Sequence, residues 1–195
     1  MTTNQPIQLG EKFEQALEFA LHIHRGQTRK GSQTPYFAHI LGVASLVLED
    51  GGSEIEAIAA LLHDAAEDGA GQQTLDQIRV QFGEEIAGIV LDCSDTLETP
   101  KPPWRARKQA HIDHLENSRP ESIRVKLADK VHNANNLLRS LHEHGPSVWD
   151  DFKGGRAGTL WYFKEMYAVF SQTRAGYLMD EFARLIEKID GYPEG

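Results

Sequence analysis

Leu61-Leu62-His63-Asp64-Ala65-Ala66-Glu67-Asp68 places one imidazole and three carboxylates at the end of an otherwise apolar run. Ile55, Ile58, Ala59, Leu61, Leu62, Ala65 and Ala66 recur at helical spacing, which predicts a helix buried over most of its surface. Ser53 with Glu56 reads as a capping box that opens this helix, and Gly69 as its stop. At about 3.6 residues per turn, His63 lies one turn before Glu67, and Asp64 one turn before Asp68. Carboxylates gathered beside a core lose solvation, repel one another and crowd the negative end of the helix dipole. A bound divalent cation relieves all three penalties and leaves Glu67 and Asp68 for proton chemistry. The plainer alternative is a helix that ends in a solvated acidic turn.

The bulk composition narrows the classes. A chain of 195 residues is long enough for one domain with a real core, and 40% hydrophobic with 25% charged residues is ordinary for a globular protein. No apolar run reaches transmembrane length and no charged-then-apolar leader is visible, so a cytoplasmic protein without a membrane partner is expected. Cys93 is the only cysteine, which excludes an intrachain disulfide and a thiolate zinc cluster. A net charge of −9 argues against a broad basic face for nucleic acid, but a few local cations suffice for a small phosphorylated substrate.

On the N-terminal side, residues 1–9 carry no pattern and are expected to fray. Phe13, Ala16, Leu17, Phe19, Ala20, Leu21 and Ile23 predict an amphipathic helix from Glu11 to about Arg25. His24-Arg25-Gly26-Gln27-Thr28-Arg29-Lys30-Gly31 is then a short cationic loop, suited to phosphate or simply a basic surface turn. Tyr36 to Glu49 reads as a largely buried helix with His39 in its first turn.

On the C-terminal side, Thr74 with Gln77 reads as a second capping box, and Glu84 to about Cys93 as a further helix. Pro100, Pro102 and Pro103 forbid a regular helix before Trp104. This rigid turn presents Lys101, Arg105, Arg107 and Lys108 either as a phosphate clamp or as the solvated start of a helix. His111 and His114 are read as surface or packing residues. Ser118-Arg119-Pro120-Glu121 reads as a third capping box opening a long helix, Glu121 to about Leu141. Asp129 sits mid-helix beside an apolar face, unfavourable in propensity and burial, and therefore calls for a partner. Asp151 to Gly158 reads as a loop or interruption. Two helices follow, Thr159 to about Ser171 with an aromatic stripe that fits core packing, and Arg174 to Ile189. No convincing strand is found; the expected fold is all-α.

His39, the His63-Asp64 pair and Asp129 thus stand on three helices, and histidine with carboxylate donors suits Mn²⁺, Fe²⁺ or Zn²⁺. The order His, His-Asp, Asp resembles the HD-domain metal-dependent phosphohydrolases. Four longer blocks sharpen the likeness: His24-x-Gly26-Gln27-x-Arg29-Lys30, Pro35-Tyr36-x-x-His39, Leu62-His63-Asp64-x-x-Glu67-Asp68, and Lys126-Leu127-Ala128-Asp129-Lys130-x-His132-Asn133. Together they resemble the hydrolase domain of RelA/SpoT-type alarmone enzymes, here as a stand-alone small alarmone hydrolase.

The resemblance implies one helical bundle over residues 1–195, with the metal site between helices. The diagnostic blocks fall within 24–133, and C-terminal helices within 146–190 pack on them. It implies removal of the 3′-pyrophosphate from guanosine 3′,5′-bis(diphosphate) or its pentaphosphate, giving GDP or GTP. By position, His39, His63, Asp64 and Asp129 would hold one divalent metal, usually manganese. Glu67 and Asp68 would orient and deprotonate the attacking water, with the choice of base between them open. Arg29, Lys30 and Asn133 would meet the nucleotide, with Lys101 and Arg105 as looser candidates. Ile40 stands where the family usually has proline, and Ala65-Ala66 replace bulkier residues. A smaller side chain there alters pocket shape, so adenosine alarmones, NADPH or deoxynucleotides are alternative substrates, and a non-catalytic binding module is the rival class.

Overall fold

The computed structural model describes residues 7–193, so residues 1–6 of the patternless start lie outside it. Among the described residues it has ten α-helices and no strand: α1 (Glu11–Ile23), α2 (Phe37–Glu49), α3 (Glu54–Leu62), α4 (Ala65–Asp68), α5 (Gln72–Phe82), α6 (Glu84–Cys93), α7 (Trp104–Leu115), α8 (Pro120–His144), α9 (Gly155–Ser171) and α10 (Tyr177–Asp190). A 3-10 segment, Gly145–Asp151, joins α8 to the loop before α9. Among the described residues no helix is long and apolar enough to cross a membrane.

The apolar run before His63 is the middle of the molecule. Ala57 to Leu62 are all buried, and α3 packs against α1, α2, α6 and α8. Its start is the expected one: Ser53 Oγ accepts the Glu56 backbone N–H at 3.3 Å while a Glu56 carboxylate oxygen accepts the Ser53 N–H at 2.7 Å. Ser53→Ala is therefore expected to lower stability by about 1 kcal/mol, read as a reduced urea midpoint at unchanged slope.

The uninterrupted helix expected from Ser53 to Gly69 is instead two pieces. The ladder stops at Leu62, and Asp64 takes φ −102° and ψ −4° before α4 begins. Tertiary partners win here. His63 turns inward, its Nδ1 2.7 Å from the Ala60 carbonyl, and Asp64 accepts a hydrogen bond from the Tyr36 hydroxyl at 2.6 Å.

Two other capping boxes are not formed. Helix α5 starts at Gln72, and buried Thr74 accepts the Ala70 N–H at 2.9 Å, closing the loop before it. Helix α8 starts at Pro120, while the Ser118 hydroxyl donates back to the His114 carbonyl at 3.2 Å. In both places the hydroxyl serves the preceding segment.

The cationic loop is a closed hairpin-like turn. Arg29 N–H donates to the Thr34 carbonyl at 2.8 Å and Tyr36 N–H to the Gln27 carbonyl at 2.9 Å. The stretch expected as a loop from Asp151 to Gly158 is partly helical, since α9 begins at Gly155. Its glycines have a packing reason: a Cβ on Gly154 would come within 2.7 Å of the Trp104 indole, and one on Gly158 within 3.1 Å. The aromatic stripe is core, with Phe182 of α10 fully buried against Phe163, Tyr167 and Phe170 of α9.

Candidate metal centre and nucleotide cleft

Helix α2 brings His39, the break between α3 and α4 brings His63 and Asp64, and the middle of α8 brings Asp129. His39 Nε2 lies 3.6 Å from Asp64 Oδ2 and 3.5 Å from Asp129 Oδ1, and His63 Nε2 lies 3.0 and 3.8 Å from the same two atoms. The ligand atoms of His39, His63 and Asp129 all fall within 4.8 Å of one another. Both Nε2 atoms are buried without a well-formed hydrogen-bond partner among the described residues. Two imidazole nitrogens and the Asp129 carboxylate at one place, with Asp64 against both imidazoles and no thiolate, fit a divalent cation.

Each donor is tied to a neighbour. His63 Nδ1 faces the Ala60 carbonyl, Tyr36 donates to Asp64, and His39 Nδ1 meets His132 Nδ1 at 2.9 Å. Asp129 takes Lys130 Nζ at 2.9 Å, Lys126 Nζ at 3.4 Å and the Asn133 amide. Burial alone would raise both carboxyl pKa values. The neighbouring His63 and His39 hold Asp64 well below the ordinary range, and Lys130 and Lys126 do the same for Asp129. The mid-helix acid thus has lysine partners as well as a place in the candidate cluster.

Glu67 and Asp68 lie beside this cluster in different surroundings. Glu67 is held on both oxygens, by Lys101 Nζ at 2.9 Å and by the Asp95 backbone N–H at 3.2 Å. Asp68 has no such clamp; its neighbour His24 Nδ1, 3.8 Å away, belongs to a ring that burial keeps neutral. Burial, then the Asp64 and Glu67 carboxylates, push the Asp68 pKa up to about 6. Of the two acids, Asp68 is thus the one left without a cationic clamp and with its carboxyl pushed toward neutral pH.

Two cavities adjoin here, one of them over the acids. One, about 380 Å³, is lined by Asp64, Glu67, Asp68, Asp129 and the cations Lys30, Lys101, Arg107, Lys108 and Lys153. The other, about 420 Å³, has Arg29, Leu137, Val148 and Phe163 in its wall, with Lys30, Tyr36, Trp104, Asn133 and Phe152 at the shared side. Asn133 Oδ1 accepts from Arg29 at 2.7 Å, tying the cationic loop to the Asp129 helix.

Of the residues singled out from sequence, Arg29, Lys30, His39, His63, Asp64, Glu67, Asp68, Lys101, Asp129 and Asn133 are brought together here. Arg105 is not: its guanidinium stacks 3.2 Å from the Trp161 ring centre and lines neither cavity. Arg107 and Lys108 face the cleft instead, both paired with Asp95. His111 is buried packing and His114 pairs with Asp92 at 3.1 Å.

Sequence reasoning gave no role to Asp95, nor to Lys126 and His132, although the last two stand in the fourth block. Lys126 and Lys130 lie three before and one after Asp129 on a buried face, a spacing that signals charge pairing. The roles of Asp95 and His132 depend on contacts between distant segments, which no local spacing marks.

Residues 16–160 match the family model described as HD domain. The chain is 36% identical over 142 residues to guanosine-3′,5′-bis(diphosphate) 3′-pyrophosphohydrolase MESH1 of Mus musculus, covering 71% of this chain and 74% of that protein. Among solved structures it is similar to one reported as a metazoan ortholog of SpoT that hydrolyzes ppGpp and plays a role in starvation responses. There the TM-score is 0.75 at 26% identity, over 91% of this chain and 95% of the other. A chain from Listeria monocytogenes EGD-e aligns with TM-score 0.68 at 31% identity, over 81% and 99%.

Proposed function

This chain belongs to the HD domain family, and from that premise we propose that it is a metal-dependent phosphohydrolase. Its reaction is removal of the 3′-pyrophosphate from guanosine 3′,5′-bis(diphosphate) and the related pentaphosphate, as in its MESH1 relatives. One observation carries the reading: His39, His63, Asp64 and Asp129 converge beside a carboxylate pair at the floor of a cleft walled by cations.

The four residues would hold a single divalent cation, Mn²⁺ in our reading. When bound, it supplies an acidified water and a polarised phosphoryl oxygen. Asp68 takes a proton from the attacking water, and Glu67, held by Lys101 and the Asp95 N–H, orients it. The water oxygen bonds to the phosphorus attached to the ribose 3′-oxygen. The bond to that oxygen breaks, and the oxygen takes a proton from solvent and leaves as a hydroxyl, while Asp68 returns its proton to solvent. Lys30, Lys101, Arg107, Lys108 and Lys153 bind the pyrophosphate oxygens. Burial lowers the Lys108 pKa to about 8, and a phosphate beside it would favour its charged form. The nucleoside occupies the larger cavity between Phe152, Leu137 and Val148, with Asn133 and Arg29 at its phosphate end.

The test is release of pyrophosphate from ppGpp by the purified protein, with and without Mn²⁺, beside Asp64→Ala. Release that needs the metal and fails in the variant supports the reading. No release by protein shown to hold Mn²⁺ sinks the guanosine substrate and redirects the search to adenosine alarmones and NADPH. Metal binding is also expected to stabilise the fold. At a free Mn²⁺ concentration of 100 times its Kd the gain is about 2.7 kcal/mol, seen as a rise in Tm that a chelator reverses.

A further inference from the structure

We infer that His132 is a positioning residue for the metal centre, setting the proton position and ring orientation of His39. This rests on the reading above that His39 is a ligand.

His39 turns Nε2 toward Asp64 and Asp129, which leaves Nδ1 as its outer nitrogen. That Nδ1 lies 2.9 Å from His132 Nδ1. Two ring nitrogens at this separation share one proton, so one donates and the other accepts. Asn136 decides which. Its Nδ2 lies 2.8 Å from the His132 carbonyl oxygen, which only accepts, and this fixes the direction of the amide. The same Nδ2 lies 2.8 Å from His132 Nδ1. An amide NH₂ only donates, so a hydrogen on His132 Nδ1 would meet it donor to donor; the one lone pair of His132 Nδ1 is instead shared between Asn136 and His39, and His39 Nδ1 carries the hydrogen. His39 Nε2 is thereby left with a lone pair directed at the carboxylates, the form a metal needs. The opposite arrangement would aim an N–H at the cation.

The fold makes room for this contact. Gly42 lies on α2 one turn after His39, and a Cβ there would stand 2.3 Å from His132 Nε2 and 2.4 Å from its Cδ2. A glycine inside a helix is disfavoured without a reason. Here the reason is the His132 ring, laid against α2 with its centre 4.8 Å from that of His39.

The experiment is Mn²⁺ titration by calorimetry and electron paramagnetic resonance on the full chain. The wild type is compared with His132→Leu, His132→Asn, Gly42→Ala and Asp64→Ala, folding being checked by circular dichroism. His132→Leu removes the acceptor and is expected to weaken Mn²⁺ binding about 10–100-fold. His132→Asn keeps an oxygen near the Nδ1 position and is expected to stay within a few-fold of wild type. Gly42→Ala displaces the ring rather than the backbone and should behave like His132→Leu. At saturating Mn²⁺ the turnover of each should recover far more than its affinity does.

Wild-type affinity in both His132→Leu and Gly42→Ala, or equal weakening in His132→Asn and His132→Leu, overturns the inference. Should His132→Leu not fold, Gly42→Ala and His132→Asn still decide it. A wild-type protein that binds no Mn²⁺, or an Asp64→Ala variant that binds it as tightly, overturns the metal-centre reading itself.

Discussion

Asp68→Asn is expected to hold Mn²⁺ as the wild type does while releasing pyrophosphate about 10²–10⁴-fold more slowly, the usual scale of a general base. The variant keeps the shape of the side chain and loses only its ability to take a proton. Asp68 is suited to that task because burial and two neighbouring carboxylates raise its pKa to about 6, leaving it ionised but basic at neutral pH. A base must be deprotonated, so kcat/KM is expected to fall as pH drops through its pKa. A bound cation pulls that pKa downward, so the midpoint of the acid limb falls at or below about 6. Glu67→Gln should act differently, because Glu67 is clamped by Lys101 and the Asp95 N–H. Its loss frees the cations and should raise KM as well as lower kcat. Asp64→Ala, in contrast, should lose metal and turnover together. Steady-state rates at saturating Mn²⁺, with metal content measured on the same samples, check all three. Near-normal rates in both Asp68→Asn and Glu67→Gln would rule out the mechanism.

Asp129→Ala and Asp64→Ala are expected to lose the metal alike yet differ in the stability of the metal-free protein. Asp129 is the partner of two buried lysines, Lys126 and Lys130. Burial would lower the Lys126 pKa, but Asp129 overrides it and holds the ammonium charged. Without Asp129 both ammonium groups stay buried, and removing a lysine proton at pH 7 costs about 4–5 kcal/mol from its ordinary pKa. The expected loss is about 3–5 kcal/mol. Asp64 has no buried lysine to balance; it faces the His39 and His63 rings and the Tyr36 hydroxyl. Its replacement should cost no more than about 1–2 kcal/mol. Urea unfolding in the presence of a chelator separates the two, and equal costs would refute the assignment of Asp129 as the counter-charge of the α8 lysines.

Much of the site was legible because its chemistry is written in local spacing. His63-Asp64 followed by Glu67-Asp68, an acid inside an apolar helix at Asp129, and His39 in a buried helix are each improbable without a purpose. What failed was the reading of local patterns with more than one use. Thr74 and Ser118 match the capping-box spacing as well as Ser53 does, yet only Ser53 caps. A hydroxyl bonds whichever backbone group the neighbouring segment leaves open, and that depends on the path of the chain. Arg105 and Arg107 are two apart on a helix, so they point to nearly opposite sides. The cluster Lys101 to Lys108 announced a cationic surface without saying which side of α7 faces the acids.

The helices and their buried faces, the histidine and carboxylate donors, and the supply of cations follow from residue types and from periods of a few positions. Those are properties of the chain over short distances, and burial of apolar side chains enforces them in any packing. The break after Leu62, the assignment of Lys126 and Lys130 to Asp129, the clamp on Glu67, the cleft-facing role of Arg107 in place of Arg105, and the His39–His132–Asn136 chain arise only once α2, α3, α7 and α8 are docked. A hydrogen bond or an ion pair between segments is set by ångström-scale distances across the core. No period along the chain encodes those distances.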